Sequence, residues 1–179
     1  MSKNILVISS SLRSGSNSEA LADSFIKGAE DAGNKTEKIL LNKSIDFCED
    51  CFASQKMDKT VTNYDEITVM KIMHDADVIV FAMPIYYYDM SGQMKILIDH
   101  ASCLYSSDYK SHDIYFLSAA AEKEDDIDEQ AGHILKKWFN EYPKFKFCGT
   151  VFAGGVNGPN EMSGHPALKK AYDMGNSIK

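Results

Sequence analysis

Ile5-Leu6-Val7-Ile8-Ser9-Ser10-Ser11-Leu12-Arg13-Ser14-Gly15-Ser16-Asn17-Ser18 is the stretch on which the fold of this chain turns. Its first four residues form a continuous apolar run rich in β-branched side chains, as expected of a strand covered on both faces. The serines follow at once. Beyond them Leu21, Phe25 and Ala29 recur on one helical face, Glu19, Asp23, Lys27 and Glu30 fall on the other, and Gly33 ends the pattern. The order is strand, hydroxyl-rich loop, amphipathic helix.

The alternation continues outward from there. Residues 38–41, 77–82, 114–117 and 147–152 are apolar bursts of strand length, and helical patterns run near 65–74, 93–102, 126–140 and 166–177. Five strands alternating with five helices specify a doubly wound parallel α/β sheet. The polar flanks of Lys38-Ile39-Leu40-Leu41 suit an edge strand. With right-handed crossovers this gives the order 2-1-3-4-5, a flavodoxin-like three-layer sandwich in one domain over residues 1–179. Ligands of such sheets sit beyond the C-terminal strand ends at the switch point. The loops to inspect are therefore 9–17, 83–92 and 118–125, after strands one, three and four.

The composition narrows the function classes. With 179 residues and a formal charge of −7, the chain is an acidic globular protein. That charge disfavours nucleic acid and anionic membrane surfaces. It leaves a phosphorylated cofactor open, because local N–H groups hold a phosphate whatever the global charge. No apolar run approaches membrane-spanning length, and the start of the chain lacks the pattern of a signal segment. The four cysteines (Cys48, Cys51, Cys103 and Cys148) are unevenly spaced, as expected of free thiols in the cytoplasm.

The first loop carries six serines in ten positions, 9–18, where one residue would cap the helix. A helix N-terminus adds unpaired N–H groups and a positive dipole end, and Arg13 adds a charged donor. Together these suit a phosphate dianion. Neither G-x-x-x-x-G-K-[ST] nor G-x-G-x-x-G is present, so ATP and tightly bound NAD are not expected. The second loop, Met83-Pro84-Ile85-Tyr86-Tyr87-Tyr88-Asp89-Met90-Ser91-Gly92, places three adjacent tyrosines at a strand end. They suit a flat ring, or aromatic packing at a subunit interface, and the two uses are compatible.

These residues resemble the NADPH-dependent FMN reductase and iron–sulfur flavoprotein-like family. Its first loop reads G-S-x-R-x-x-[GS]-N-[ST], matched by Ser10–Ser18 with Ser10 in place of glycine and Leu12 in place of a frequent proline. Its second reads P-[IV]-Y-[WFY]-x-x-x-[ST]-[GA]-x-x-K-x-x-[IL]-D, matched from Pro84 to Asp99. Residues 164–175 look like the family's ending. The resemblance implies FMN, with NADH or NADPH as co-substrate. Its cofactor-binding residues would be Ser9, Ser11, Arg13, Ser16, Asn17 and Ser18 around the phosphate, and Pro84, Ile85, Tyr86, Tyr87 and Tyr88 against the ring. The loop Ser118-Ala119-Ala120-Ala121 would flank the ring's other edge, with Ser118, Ala119 and Ala120 as its binding residues. It further implies a homodimer or higher homo-oligomer. Iron–sulfur relatives supply four clustered cysteines. Here Cys48-Glu49-Asp50-Cys51-Phe52-Ala53-Ser54 supplies two, so no cluster is expected and the pair reads as free thiols, or as a redox pair.

The remaining features are structural in character. His74, His100, His112, His133 and His165 are scattered without ligand spacing, so no metal is expected. Glu122-Lys123-Glu124-Asp125-Asp126 favours the following helix dipole or tunes a flavin. Gly154-Gly155-Val156-Asn157-Gly158-Pro159 reads as a loop, a lid or a partner contact. The expected activity is transfer of reducing equivalents from a nicotinamide through the flavin to a flavin, quinone or similar small acceptor. The flavin performs the chemistry, with no acid–base residue required. The alternative is a flavodoxin-type electron carrier that docks protein partners through its acidic surface. A receiver-type signalling domain is excluded, because serines stand where its acidic pocket would be.

Overall fold

The computed structural model describes residues 2–41, 66–101, 110, 112–124, 126–141 and 144–179, with backbone alone at 66–68. In chain order the elements are β1 (Asn4–Ser9), α1 (Asn17–Asp31), β2 (Lys35–Leu40), α2 (Glu66–Asp75), β3 (Val78–Tyr86) and β4 (Asp89–Met90). Then come α3 (Gly92–His100), β5 (His112–Ala119), α4 (Glu129–Asn140), β6 (Phe145–Ala153) and α5 (Pro166–Asn176). The sheet order is β2-β1-β3-β5-β6, all parallel, with the two-residue β4 antiparallel on β3. Setting β4 aside, this is the expected 2-1-3-4-5 order.

The apolar runs build two cores because a strand turns successive side chains to opposite faces. From β1, Leu6 and Ile8 join Phe81, Phe116, Leu135 and Phe139 under α2, α3 and α4. Ile5 and Val7 join Phe25, Val80, Leu117 and Ala171 under α1 and α5. The sheet is thus the middle of three layers.

Helix α1 ends as its glycine requires. Gly33 sits at φ +88°, its N–H donates to Glu30 O at 2.8 Å, and Asn34 N–H donates to Ala29 O at 3.1 Å. That pair of bonds is the Schellman closure. Helices α1 and α5 cross in close contact. A Cβ built on Gly28 would stand 2.0 Å from Tyr172 O, and one on Gly175 would stand 2.1 Å from Phe25 O. Hydrogen there lets two backbones meet where any side chain would hold them apart.

Three boundaries differ from expectation. Strand β3 runs on to Tyr86, because β4 folds back and pairs Ile85 with Met90 and Tyr86 with Asp89. Strand β6 is longer than 147–152 and carries a bulge at Cys148, where Ile114 pairs with Phe147 but Tyr115 pairs with Gly149. Helix α4 starts at Glu129, after its N-cap Asp128, whose side chain makes no cap bond and instead accepts from Ser118.

Candidate flavin site

The loop between β1 and α1 is held by its own hydroxyls. Ser16 is the N-cap of α1; its Oγ accepts from Glu19 N–H at 3.3 Å and lies 3.1 Å from Ser18 Oγ. Ser11 Oγ accepts from Arg13 N–H at 3.3 Å. Ser10 Oγ lies 2.7 Å from Ser91 Oγ, and Ser91 in turn caps α3 by accepting from Met94 N–H. One serine pair therefore ties together the two loops that the sequence singled out. Gly15, at φ +70°, gives the turn that leads into the helix.

The second loop is a two-residue hairpin turn. Tyr87 and Tyr88 both have positive φ, +50° and +67°. Two left-handed residues between paired strands make a type I′ turn, a geometry that Asn-Gly fills without strain. Tyrosine at both positions costs roughly 1–2 kcal/mol per residue. The turn sets all three tyrosine side chains outward, with Tyr87 98% exposed.

These loops meet around a cavity of about 420 Å³. Ser11, Arg13, Ser16, Asn17 and Ser18 line one part of it, and Pro84, Ile85 and Tyr86–Tyr88 line another. Ala119 and Ala120 contribute from the end of β5. Twelve of the fourteen sequence-derived binding residues thus share one cavity.

The other two do not reach it. Ser9 is the last residue of β1 and fully buried; its side chain shares the sheet face of Val7 and Ile5, and its Oγ has no partner among the described residues. Ser118 is also fully buried, and its hydroxyl donates to Asp128 Oδ2 at 2.5 Å. Burial raises the Asp128 carboxyl above its ordinary value, against a smaller lowering by the Ser118 hydrogen bond.

Ala121 and Glu122, from the 118–125 loop singled out in the sequence, complete the lining together with Val156 and Asn157, which the sequence placed only in a loop, lid or partner contact. Val156 and Asn157 follow β6, the last strand. The rule that ligands gather at C-terminal strand ends, applied to that strand too, would have found them. Asn17 also departs from expectation. It lines the cavity, but its side chain is engaged by the segment after β6: Nδ2 donates to Gly158 O at 2.8 Å and Oδ1 accepts from Glu161 N–H at 3.1 Å.

A larger cavity of about 780 Å³ adjoins this one and shares Tyr88. Asp126, Asp128 and Glu129 line it against Lys136 and His133, so it carries more acidic than basic side chains and suits a phosphate poorly. Among the described residues no group of three or more His, Cys, Asp or Glu side chains comes together as a metal site. Cys48, Cys51, Ser54 and Cys103 lie outside the described residues. His165 serves the fold, its Nδ1 accepting from Ala167 N–H at the start of α5. No helix among the described residues is long and apolar enough to cross a membrane.

The donor set and the volume fit a flavin nucleotide. Small-ligand cavities run to about 300–1,000 Å³ with a few placed polar groups, and this one sets helix-start N–H groups and a guanidinium beside an aromatic wall. Comparison with known proteins agrees. An iron–sulfur flavoprotein of Archaeoglobus fulgidus is 26% identical over 173 residues, covering 90% of this chain and 72% of that relative. The solved NAD(P)H:quinone oxidoreductase of Methanothermobacter marburgensis superposes with a TM-score of 0.78 at 18% identity, covering 100% of this chain and 97% of its own. An azoreductase of Bacillus anthracis gives 0.72 at 13% identity, covering 98% and 100%. At those identities the two structures establish the flavodoxin-like fold. A family model for NADPH-dependent FMN reductase matches residues 3–139, well over half of the sequence. The chain therefore belongs to the NADPH-dependent FMN reductase family, a flavin-dependent oxidoreductase with FMN as its cofactor.

Proposed function

We propose that this chain binds FMN in the 420 Å³ cavity and passes reducing equivalents from NADH or NADPH to a small flavin, quinone or similar acceptor. The observation that carries this reading is the convergence of the serine loop and the tyrosine hairpin on one cavity. The first turn of α1 presents main-chain N–H groups that have no intrahelical partner, and these, with the Ser11 and Ser18 hydroxyls, would hold the phosphate. Arg13 adds the charge that makes such bonds strong. Pro84, Ile85 and the tyrosines would lie against the ring. The buried Ile85, Ala119, Ala120 and Val156 keep water from that wall.

Bound FMN supplies the hydride chemistry, accepting from a nicotinamide and donating to the acceptor. The protein's part is orientation and exclusion of water, and this reading assigns no side chain a proton-transfer role. The exposed faces of Tyr86, Tyr87 and Tyr88 suit flat substrates or a second subunit. We place the activity in the cytoplasm, in one domain that pairs into a homodimer or higher homo-oligomer. The test is reconstitution with FMN followed by NADH and NADPH oxidation with quinone, flavin and azo acceptors. Turnover with at least one acceptor is expected. A yellow protein that consumes neither nicotinamide with any of them would overturn the reading.

A further inference from the structure

The segment after β6 forms a strap between two buried anchors, Val156 and Met162, which are 6% and 3% exposed. Between them Asn157, Pro159, Asn160 and Glu161 are exposed, so apolar burial does little to fix their position. Hydrogen bonds from the phosphate loop do so instead. Arg13 Nη1 donates to Asn157 O at 2.6 Å, and Asn160 N–H donates to Gly15 O at 2.8 Å. Asn17 makes the two bonds already described, to Gly158 O and from Glu161 N–H. Within the strap, Asn157 N–H donates to Glu161 Oε2 at 2.7 Å. Asn160 holds a left-handed backbone, φ +63°, a region in which asparagine is enriched.

The chemistry of Asn17 is specific. A carbonyl accepts only and an N–H donates only, so Gly158 O and Glu161 N–H together fix which end of the amide faces which partner. Asn17 is buried, at 8% exposure. Its partners belong to the strap that supplies Val156 and Asn157 to the cavity wall.

We propose that Asn17 is a positioning residue: it pins the 156–161 strap against the flavin cavity and so sets affinity for the whole flavin, not for its phosphate. This rests on the FMN reading above. A strap that is out of place part of the time lowers apparent affinity by the fraction of chains lacking the wall, whatever group the ligand carries.

Comparison of FMN with riboflavin, which lacks the phosphate, separates the two roles. Kd for each is measured by fluorescence titration with the wild type, Asn17→Ala and Glu161→Ala, far-UV circular dichroism confirming each fold. Two lost hydrogen bonds set the scale, so Asn17→Ala is expected to raise both Kd values by the same factor, about ten- to thirtyfold. Glu161→Ala leaves the phosphate loop intact and is expected to raise both together by about three- to tenfold. If Asn17→Ala fails to fold, Glu161→Ala carries the test. A loss confined to FMN would make Asn17 a phosphate ligand and overturn the proposal. A lower melting temperature with both Kd values unchanged would leave Asn17 merely structural and overturn it too. A wild type that binds neither flavin would overturn the FMN reading itself.

Discussion

Replacing Tyr87 with asparagine should make the flavin-free protein more stable while weakening its hold on FMN. Tyr87 is the first left-handed residue of the hairpin turn, at φ +50°. For an L-residue with a Cβ that region costs roughly 1–2 kcal/mol, and asparagine bears it better because its short polar side chain bonds locally. Little is lost in exchange. A buried aromatic hides about 150–250 Å², but Tyr87 is 98% exposed, so almost none of that area is hidden. At 25 cal/mol per Å², the few Å² hidden are worth about 0.1 kcal/mol. Strain relief wins, by about 1 kcal/mol, which for a chain of this length is a rise in Tm of about 2–4 °C.

Two controls isolate the cause. Tyr87→Ala removes the ring but keeps the Cβ, so it should leave Tm close to the wild type. Tyr87→Gly relieves the Cβ but adds unfolded-state entropy worth about 0.5–1 kcal/mol, and should fall between. Thermal melts of the flavin-free proteins decide the order. In the FMN titration the same Asn variant should bind about three- to tenfold more weakly, the value of one aromatic stacking contact. An Asn variant no more stable than the Ala variant would refute the strain argument. Opposite signs for stability and affinity would show that the turn keeps a costly backbone in order to present aromatic surface.

The other predictions follow from packing and charge. Gly28→Ala drives a Cβ to 2.0 Å from Tyr172 O, so urea unfolding should show a loss of about 3 kcal/mol or more, despite alanine's better helix propensity. Asp128→Asn should change the pH dependence of stability. Burial raises this carboxyl, so the folded chain keeps the proton to higher pH than the unfolded one, and stability declines from about pH 4 upward until the folded value is passed. Asparagine still accepts from Ser118 but cannot ionise, so urea midpoints against pH should lose that decline and be higher at neutral pH. Arg13→Ala should raise Kd for FMN about tenfold more than for riboflavin, and the difference should shrink in high salt. That is the opposite signature to the one expected at Asn17.

Sequence alone located the loops of this site better than it assigned their side chains. The three layers were legible because β1, β3 and β5 bury both faces, so their apolar runs need no alternation. The serine loop was legible because hydroxyls crowd a helix start. What it could not show is where the strand stops. Ser9 still belongs to β1, and the pleat turns its hydroxyl into the layer under α1, whereas Ser11, two residues on, reaches the cavity. A run of identical residue types erases that boundary. Ser118 was misassigned for a similar reason. Ala119 beside it faces the cavity, while the Ser118 hydroxyl is taken by a carboxylate ten residues away. The hairpin carried no Asn-Gly signal, since tyrosines occupy the positions where that pair normally declares a type I′ turn. Asn17 is the most instructive case. Its partners lie 141 and 144 residues along the chain, and no local pattern reports them. Yet reassigning its side chain does not remove it from the proposed phosphate site. The N–H of a first-turn residue faces outward from the helix start whatever its side chain does. Readings that rest on main-chain geometry survive long-range rearrangement of side chains, so the proposal for this loop stands on its helix-start N–H groups whichever of its side chains the strap engages.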